Sequence, residues 1–143
     1  MQREQLEHII RAAGVITNQY DFIVIGSQSI LGAVRYPPAE CLMSMEADIY
    51  PYNVDGDIQH LLDKIDASIG EGSAFHVRFG VYAQWVDSHT AVLPAGWEKR
   101  LTALQNEGTD GRAAWCIDPT DLFLAKSVAN REKDGPFNKA LLR

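Results

Sequence analysis

The segment Asp21-Phe-Ile-Val-Ile25, followed at once by Gly26-Ser27, constrains the fold more than any other part of the chain. A short apolar run rich in β-branched side chains suits a strand buried on both faces, which needs covering elements on each side. Glycine then ends the strand, and Ser27 is a good N-cap for a helix over 27–34, because its hydroxyl can satisfy an orphan backbone N–H. The turn therefore offers a helix N-terminus at the end of a central strand. Arg35-Tyr-Pro-Pro-Ala stops that helix, and residues 35–43 read as a mobile loop beside it.

Around this centre the periodicities predict an α/β (α+β) fold, a mixed β-sheet flanked by helices. Leu6, Ile9, Ile10 and Ala13 mark a helix over 3–13, stopped by Gly14. Ser44 to Tyr50 alternates, placing Glu46, Asp48 and Tyr50 on one face of a second strand and Met45, Ala47 and Ile49 on the other. A helix follows from Asp57 to Ile69, ended by Gly70 and Gly72. Phe75 to Val86 is aromatic and β-branched and predicts one or two strands bent at Gly80, with His76 inside as a packed or hydrogen-bonded imidazole. Residues 98–117 read as mixed β structure ending in the strand Ala114 to Ile117. Asp118-Pro-Thr-Asp opens a helix with a Leu122, Ala125, Ala129 stripe and Lys126 and Lys133 on the opposite face. Gly135-Pro136 breaks it, and 137–142 makes a last short helix.

Length and composition fit that architecture. At 143 residues, 46% hydrophobic and 22% charged, the chain is expected to be one soluble domain, 1–143. A net charge of -6 argues against a protein that coats nucleic acid, yet it suits acidic side chains gathered round a bound cation. Cys41 and Cys116 lack metal-ligand or redox spacing and read as buried thiols. Neither a signal-peptide apolar region nor a membrane span is legible, so a cytoplasmic location and no membrane partner are expected. Trp85, Trp97 and Trp115 read as core residues.

Chemistry is carried by two short patterns. Carboxylates two apart on a strand point the same way, so Glu46 and Asp48 can converge on one Mg²⁺ or Mn²⁺, or on two adjacent ions; a solvated acidic edge strand is the plainer alternative. Gly26-Ser27 can seat a phosphate on backbone N–H groups, although a Gly-Ser turn can serve capping alone.

Together, strand-Gly-Ser-helix and a strand bearing acid-x-acid resemble the minimal nucleotidyltransferase signature of the polymerase-beta-like superfamily. Gly26-Ser-Gln-Ser-Ile-Leu-Gly, Ser44-Met-Glu-Ala-Asp-Ile-Tyr, Gly70-Glu-Gly-Ser-Ala-Phe-His, Leu93-Pro-Ala-Gly-Trp-Glu-Lys-Arg-Leu and the Asp121 to Asp134 stretch are similar to bacterial proteins grouped with AbiEii-type toxin nucleotidyltransferases. That resemblance implies a minimal nucleotidyltransferase fold and transfer of a nucleotide from a metal-bound NTP to an RNA or protein hydroxyl, with a cognate antitoxin as partner. It implies Gly26 and Ser27 on the triphosphate and Glu46 and Asp48 on the metal. Lys126 would contact phosphate, with Lys133 nearly on its helix face and Arg131 off that face but able to reach a neighbouring phosphate oxygen; a solvated basic face is the alternative.

Two departures from the family pattern stand out: a long connection between Ser27 and Glu46, and Glu where the leading acid is usually Asp. Active members also use a carboxylate from a later strand as base. Asp87 is the candidate, although a turn-forming Asp explains it as well. A nucleotide- or protein-binding module without turnover, or a scaffold supporting oligomerisation, are the competing functions.

Overall fold

The computed structural model describes residues 1–52, 54, 58–86, 92–129 and 134–142. Five strands, β1 (Asp21–Ile25), β2 (Glu46–Pro51), β3 (Tyr82–Trp85), β4 (Thr102–Leu104) and β5 (Ala113–Cys116), form one sheet in the order β3-β2-β1-β5-β4. The sheet is mixed: β1 runs antiparallel to β2 and parallel to β5, β2 parallel to β3, and β4 antiparallel to β5. Phe22, Ile23 and Val24 on β1 are fully buried, as a continuous apolar run in a central strand requires. The expected α/β architecture is the one observed.

Six helices surround the sheet among the described residues: α1 (Arg3–Thr17), α2 (Ile30–Ala33), α3 (Ile58–Ile69), α4 (Ala74–Phe79), α5 (Pro119–Ala129) and α6 (Asp134–Leu141). Parallel strands cannot be joined by a tight turn, and α3 with α4 makes the crossover from β2 to β3. Leu6, Ile9, Ile10 and Ala13 form the buried stripe of α1, as their spacing predicts.

That helix does not stop at Gly14. It continues to Thr17 and is closed by Asn18 in the left-handed conformation, φ 55°. Gly14 serves a different purpose: a Cβ there would collide with the side chain of Arg112. The guanidinium of Arg112 bonds Asp110 at 3.0 Å and lies 4.6 Å over the ring of Tyr20. Close approach, not termination, explains this glycine.

The predicted strand beginning at Phe75 is instead helix α4. Ser73 caps it by accepting from the His76 N–H at 3.2 Å, and Gly80 ends it at φ 74°. Phe75 and Phe79, four apart, both stack on His8 of α1, an arrangement that helical spacing provides and a strand would not. His76 therefore sits on a helix, where its Nδ1 accepts from the Gly72 N–H at 3.0 Å. Gly135-Pro136 likewise lies inside the first turn of α6, where a missing N–H costs no hydrogen bond.

Trp97 and Trp115 pack against the core, and Trp115 donates to Asp21 at 2.9 Å. Both cysteines are buried and reduced, and burial pushes the Cys116 thiol up to about 12. We expect neither thiol of the folded protein to react with a disulfide reagent at mildly alkaline pH, and both to react in denaturant; rapid labelling of the native chain would contradict the packing described. Gly32 abuts the Cys116 side chain, leaving no room for a Cβ. Urea unfolding of Gly32→Ala should show a loss of about 1–3 kcal/mol, the usual cost of overpacking.

Candidate active site

The register of β1 and β2 builds the site. Ile25 is the partner of Asp48, so the acid lies beside the first residue after the strand, Gly26. That glycine has φ 75° and ψ -172°, a conformation open to glycine and strained for other residues. Space excludes a side chain independently: a Cβ on Gly26 would stand 2.5 Å from Oδ2 of Asp48. The long connection from Ser27 to Glu46 therefore does not separate the two motifs, because strand pairing brings them back together.

Ser27 does not cap a helix. It begins a 3-10 turn, Ser27–Ser29, whose cap residue is Gly26 and makes no side-chain cap bond. The Ser29 hydroxyl donates to the Gly26 carbonyl at 2.8 Å, while the Ser27 hydroxyl accepts from the Gln28 amide at 3.0 Å. Buried Gln28 also donates to the Cys41 carbonyl at 3.0 Å and accepts from the Met1 amine at 3.1 Å. That amine also donates to the carbonyls of Leu42 and Ser44, at 2.6 and 2.7 Å. The second half of the loop expected to be mobile is thus fastened to the Gly-Ser turn.

Glu46 and Asp48 share the face of β2 that alternation predicts, with Ala47 and Ile49 fully buried on the other. On the neighbouring edge strand, Tyr82 pairs with Glu46 and Gln84 with Asp48. The Tyr82 hydroxyl donates to Oε2 of Glu46 at 3.0 Å. With its amide nitrogen turned toward Glu46, the orientation that sets donor against acceptor, Gln84 donates to Oε2 and Oε1 at 3.0 and 3.1 Å. Burial first, then the carboxylates of Glu46 and Glu71, push the Tyr82 phenol well above its ordinary value, so it remains a protonated donor. Sequence reasoning missed both residues, since only the parallel β2–β3 register brings them to Glu46.

A cavity of about 350 Å³ opens here, lined among others by Gly26, Ser27, Glu40, Glu46, Asp48 and Lys126. Lys126 is not on a solvated basic face, as helical spacing suggested. It lies one turn from buried Leu122 and is itself 5% exposed, while Leu124 and Val128 face outward. Its ammonium bonds Asp134 of α6 at 3.0 Å and sits 4.5 Å from the Phe137 ring centroid. A buried counter-ion on the next helix offsets the desolvation that would otherwise keep a lysine at the surface. Asp87, Arg131 and Lys133 lie outside the described residues.

Three carboxylates line this cavity, while the charge of its lysine is already engaged by Asp134. A phosphorylated ligand entering it needs a cation with it. Among the described residues no cluster of three His, Cys, Asp or Glu side chains can hold an ion alone. The donor set of Glu46 and Asp48, two hard carboxylates on one face beside a backbone cradle, fits a Mg²⁺ or Mn²⁺ that also takes phosphate oxygens.

Residues 4–137 match the model of a family described as a nucleotidyltransferase of unknown function (DUF6036). The chain belongs to that family. No curated protein and no solved structure matches it. Its match extends from α1 into α6, so the nucleotidyltransferase family takes in the Gly-Ser turn, the acidic strand and the Lys126–Asp134 pair together. No helix among the described residues is long and apolar enough to cross a membrane.

Removing Asp134 takes its carboxylate away from a buried ammonium. Asp134→Ala should cost about 3–5 kcal/mol of stability, and the double variant Lys126→Met, Asp134→Leu should recover most of that loss. Equal losses in the two proteins, measured by denaturant unfolding, would show that the pair is not what joins α5 to α6.

Proposed function

We propose that the protein transfers a nucleotide from a metal-bound NTP to the hydroxyl of an RNA or protein acceptor. The observation that carries this reading is Asp48 leaning over Gly26 with Glu46 beside it, a carboxylate pair set against a backbone phosphate cradle. Gly26 and Ser27, half-buried on the cavity wall, receive the triphosphate, and the missing side chain of Gly26 lets phosphate approach the main chain. Glu46 and Asp48 hold the cation. When bound, that cation neutralises charge on the α-phosphate and the leaving group.

The acceptor oxygen forms its bond to the α-phosphorus as the bond to the β-phosphate bridging oxygen breaks, and pyrophosphate departs. The acceptor proton passes to a base, for which Asp87, just beyond β3 in the sequence, is the proposed residue. Lys126 reaches phosphate only by exchanging part of its interaction with Asp134. Segment likeness to AbiEii-type proteins supports extending the proposal to a toxin in the cytoplasm opposed by an antitoxin.

One observation favours a second reading, a nucleotide-binding module without turnover. The residues of β3 that share the face of Glu46 and Asp48 are Tyr82 and Gln84, neither of them an acid.

Thermal unfolding with each NTP, with and without Mg²⁺, tests the site on wild type and Asp48→Ala. Ligand at about 100 times its Kd should stabilise wild type by about 2.7 kcal/mol. The shift should need both metal and Asp48, and Asp48→Ala should stay folded. A shift indifferent to either one would sink the metal–nucleotide assignment. Turnover of labelled NTP separates enzyme from binding module.

A further inference from the structure

We infer that Tyr82 and Gln84 are positioning residues for Glu46, and that the site they leave takes one divalent cation shared with the nucleotide, not a pair of ions. This rests on the nucleotide-site reading above and specifies how that site is built.

The leading acid is a glutamate, one methylene longer than the aspartate usual in this position. A longer arm has more rotamers to lose, and a metal ligand misplaced by a bond length binds weakly. The structure supplies what the arm lacks. Tyr82 reaches Oε2 at 3.0 Å, and the Gln84 amide spans both oxygens at 3.0 and 3.1 Å. All three residues stand on adjoining, register-paired strands, so the clamp is fixed by backbone pairing and not by a loop.

The count of lone pairs decides the mode of ligation. A carboxylate offers about four acceptor sites, so three donor contacts leave roughly one for a cation. Glu46 thus ligates through a single oxygen, and Asp48, on the same face of β2, supplies a second protein ligand. Two-ion sites of phosphoryl-transfer enzymes place metals about 3.5–4 Å apart and need enough carboxylate oxygens to serve both. Here the β3 positions facing the pair carry a phenol and an amide, which donate to Glu46 where a further acid would have accepted a second ion. The same two side chains therefore orient the first ligand and fill the β3 positions that face the pair.

Mn²⁺ with ATP is the probe, titrated against the full chain and followed by electron paramagnetic resonance. Wild type should bind one Mn²⁺ per chain. The double variant Tyr82→Phe, Gln84→Leu should bind it about 10–100-fold more weakly, the usual effect of losing partners that orient a metal ligand, with an altered spectrum of the bound ion and an unchanged circular dichroism spectrum. Should that variant not fold, Tyr82→Phe alone removes a single oxygen and should weaken binding in the same direction. Binding lost in Asp48→Ala but untouched in the clamp variants would overturn the positioning role and leave the nucleotide site standing. Two ions bound per wild-type chain would overturn the single-ion site. Failure of wild type to bind Mn²⁺ with ATP, or with any other NTP, would overturn the site reading and this inference together.

Discussion

The antiparallel pairing of β1 with β2 is the constraint on which the candidate site depends. Its register puts Asp48 opposite Ile25, and the next residue of β1 must then turn beneath a carboxylate. Gly26 alone meets both demands, a positive φ and no side chain. A slip of one residue would send Glu46 and Asp48 into the core and bring Ala47 and Ile49 out. The site is thus locked by the same alternation that fills the core, since every buried residue of β2 argues for the register that also aims the acids.

A second layer of interactions closes the cavity from the sides. Gln28 joins the Gly-Ser turn to the Cys41 carbonyl, and Cys41 in turn meets α6, its thiol 3.9 Å from the Phe137 carbonyl. On α5, Lys126 faces inward because Asp134 accepts its charge. Burying this pair yields little net stability, but it fixes which way the lysine points. A cation so placed stands on the cavity wall with Glu46 and Asp48, where the other charged side chains of the lining are acids.

Local patterns in the sequence coincide with the structure wherever a single element accounts for them. The apolar run of β1, the alternation of β2 and the α1 stripe each carry their own periodicity, and each lies where that periodicity puts it. Errors arose where one residue type serves two purposes. Gly14 looks like a helix stop and is a contact with Arg112; Gly80 looks like a bend in a strand and is a helix end. Ser27 looks like an N-cap, yet its hydroxyl bonds Gln28. The aromatic and β-branched character of 75–79 suggested a strand, and the Ser73 cap with the His8 contacts overrode that propensity.

By itself the sequence determined the acidic face of β2, the glycine that ends β1 and the α/β class, because each follows from spacing along single stretches of chain. Tertiary structure alone decided that Glu46 is gripped by Tyr82 and Gln84, that Asp48 lies over Gly26 and that Lys126 is turned inward to Asp134. Those contacts join residues on different strands and helices, and no periodicity records them. They depend on strand register and on how helices pack, which the whole core sets at once.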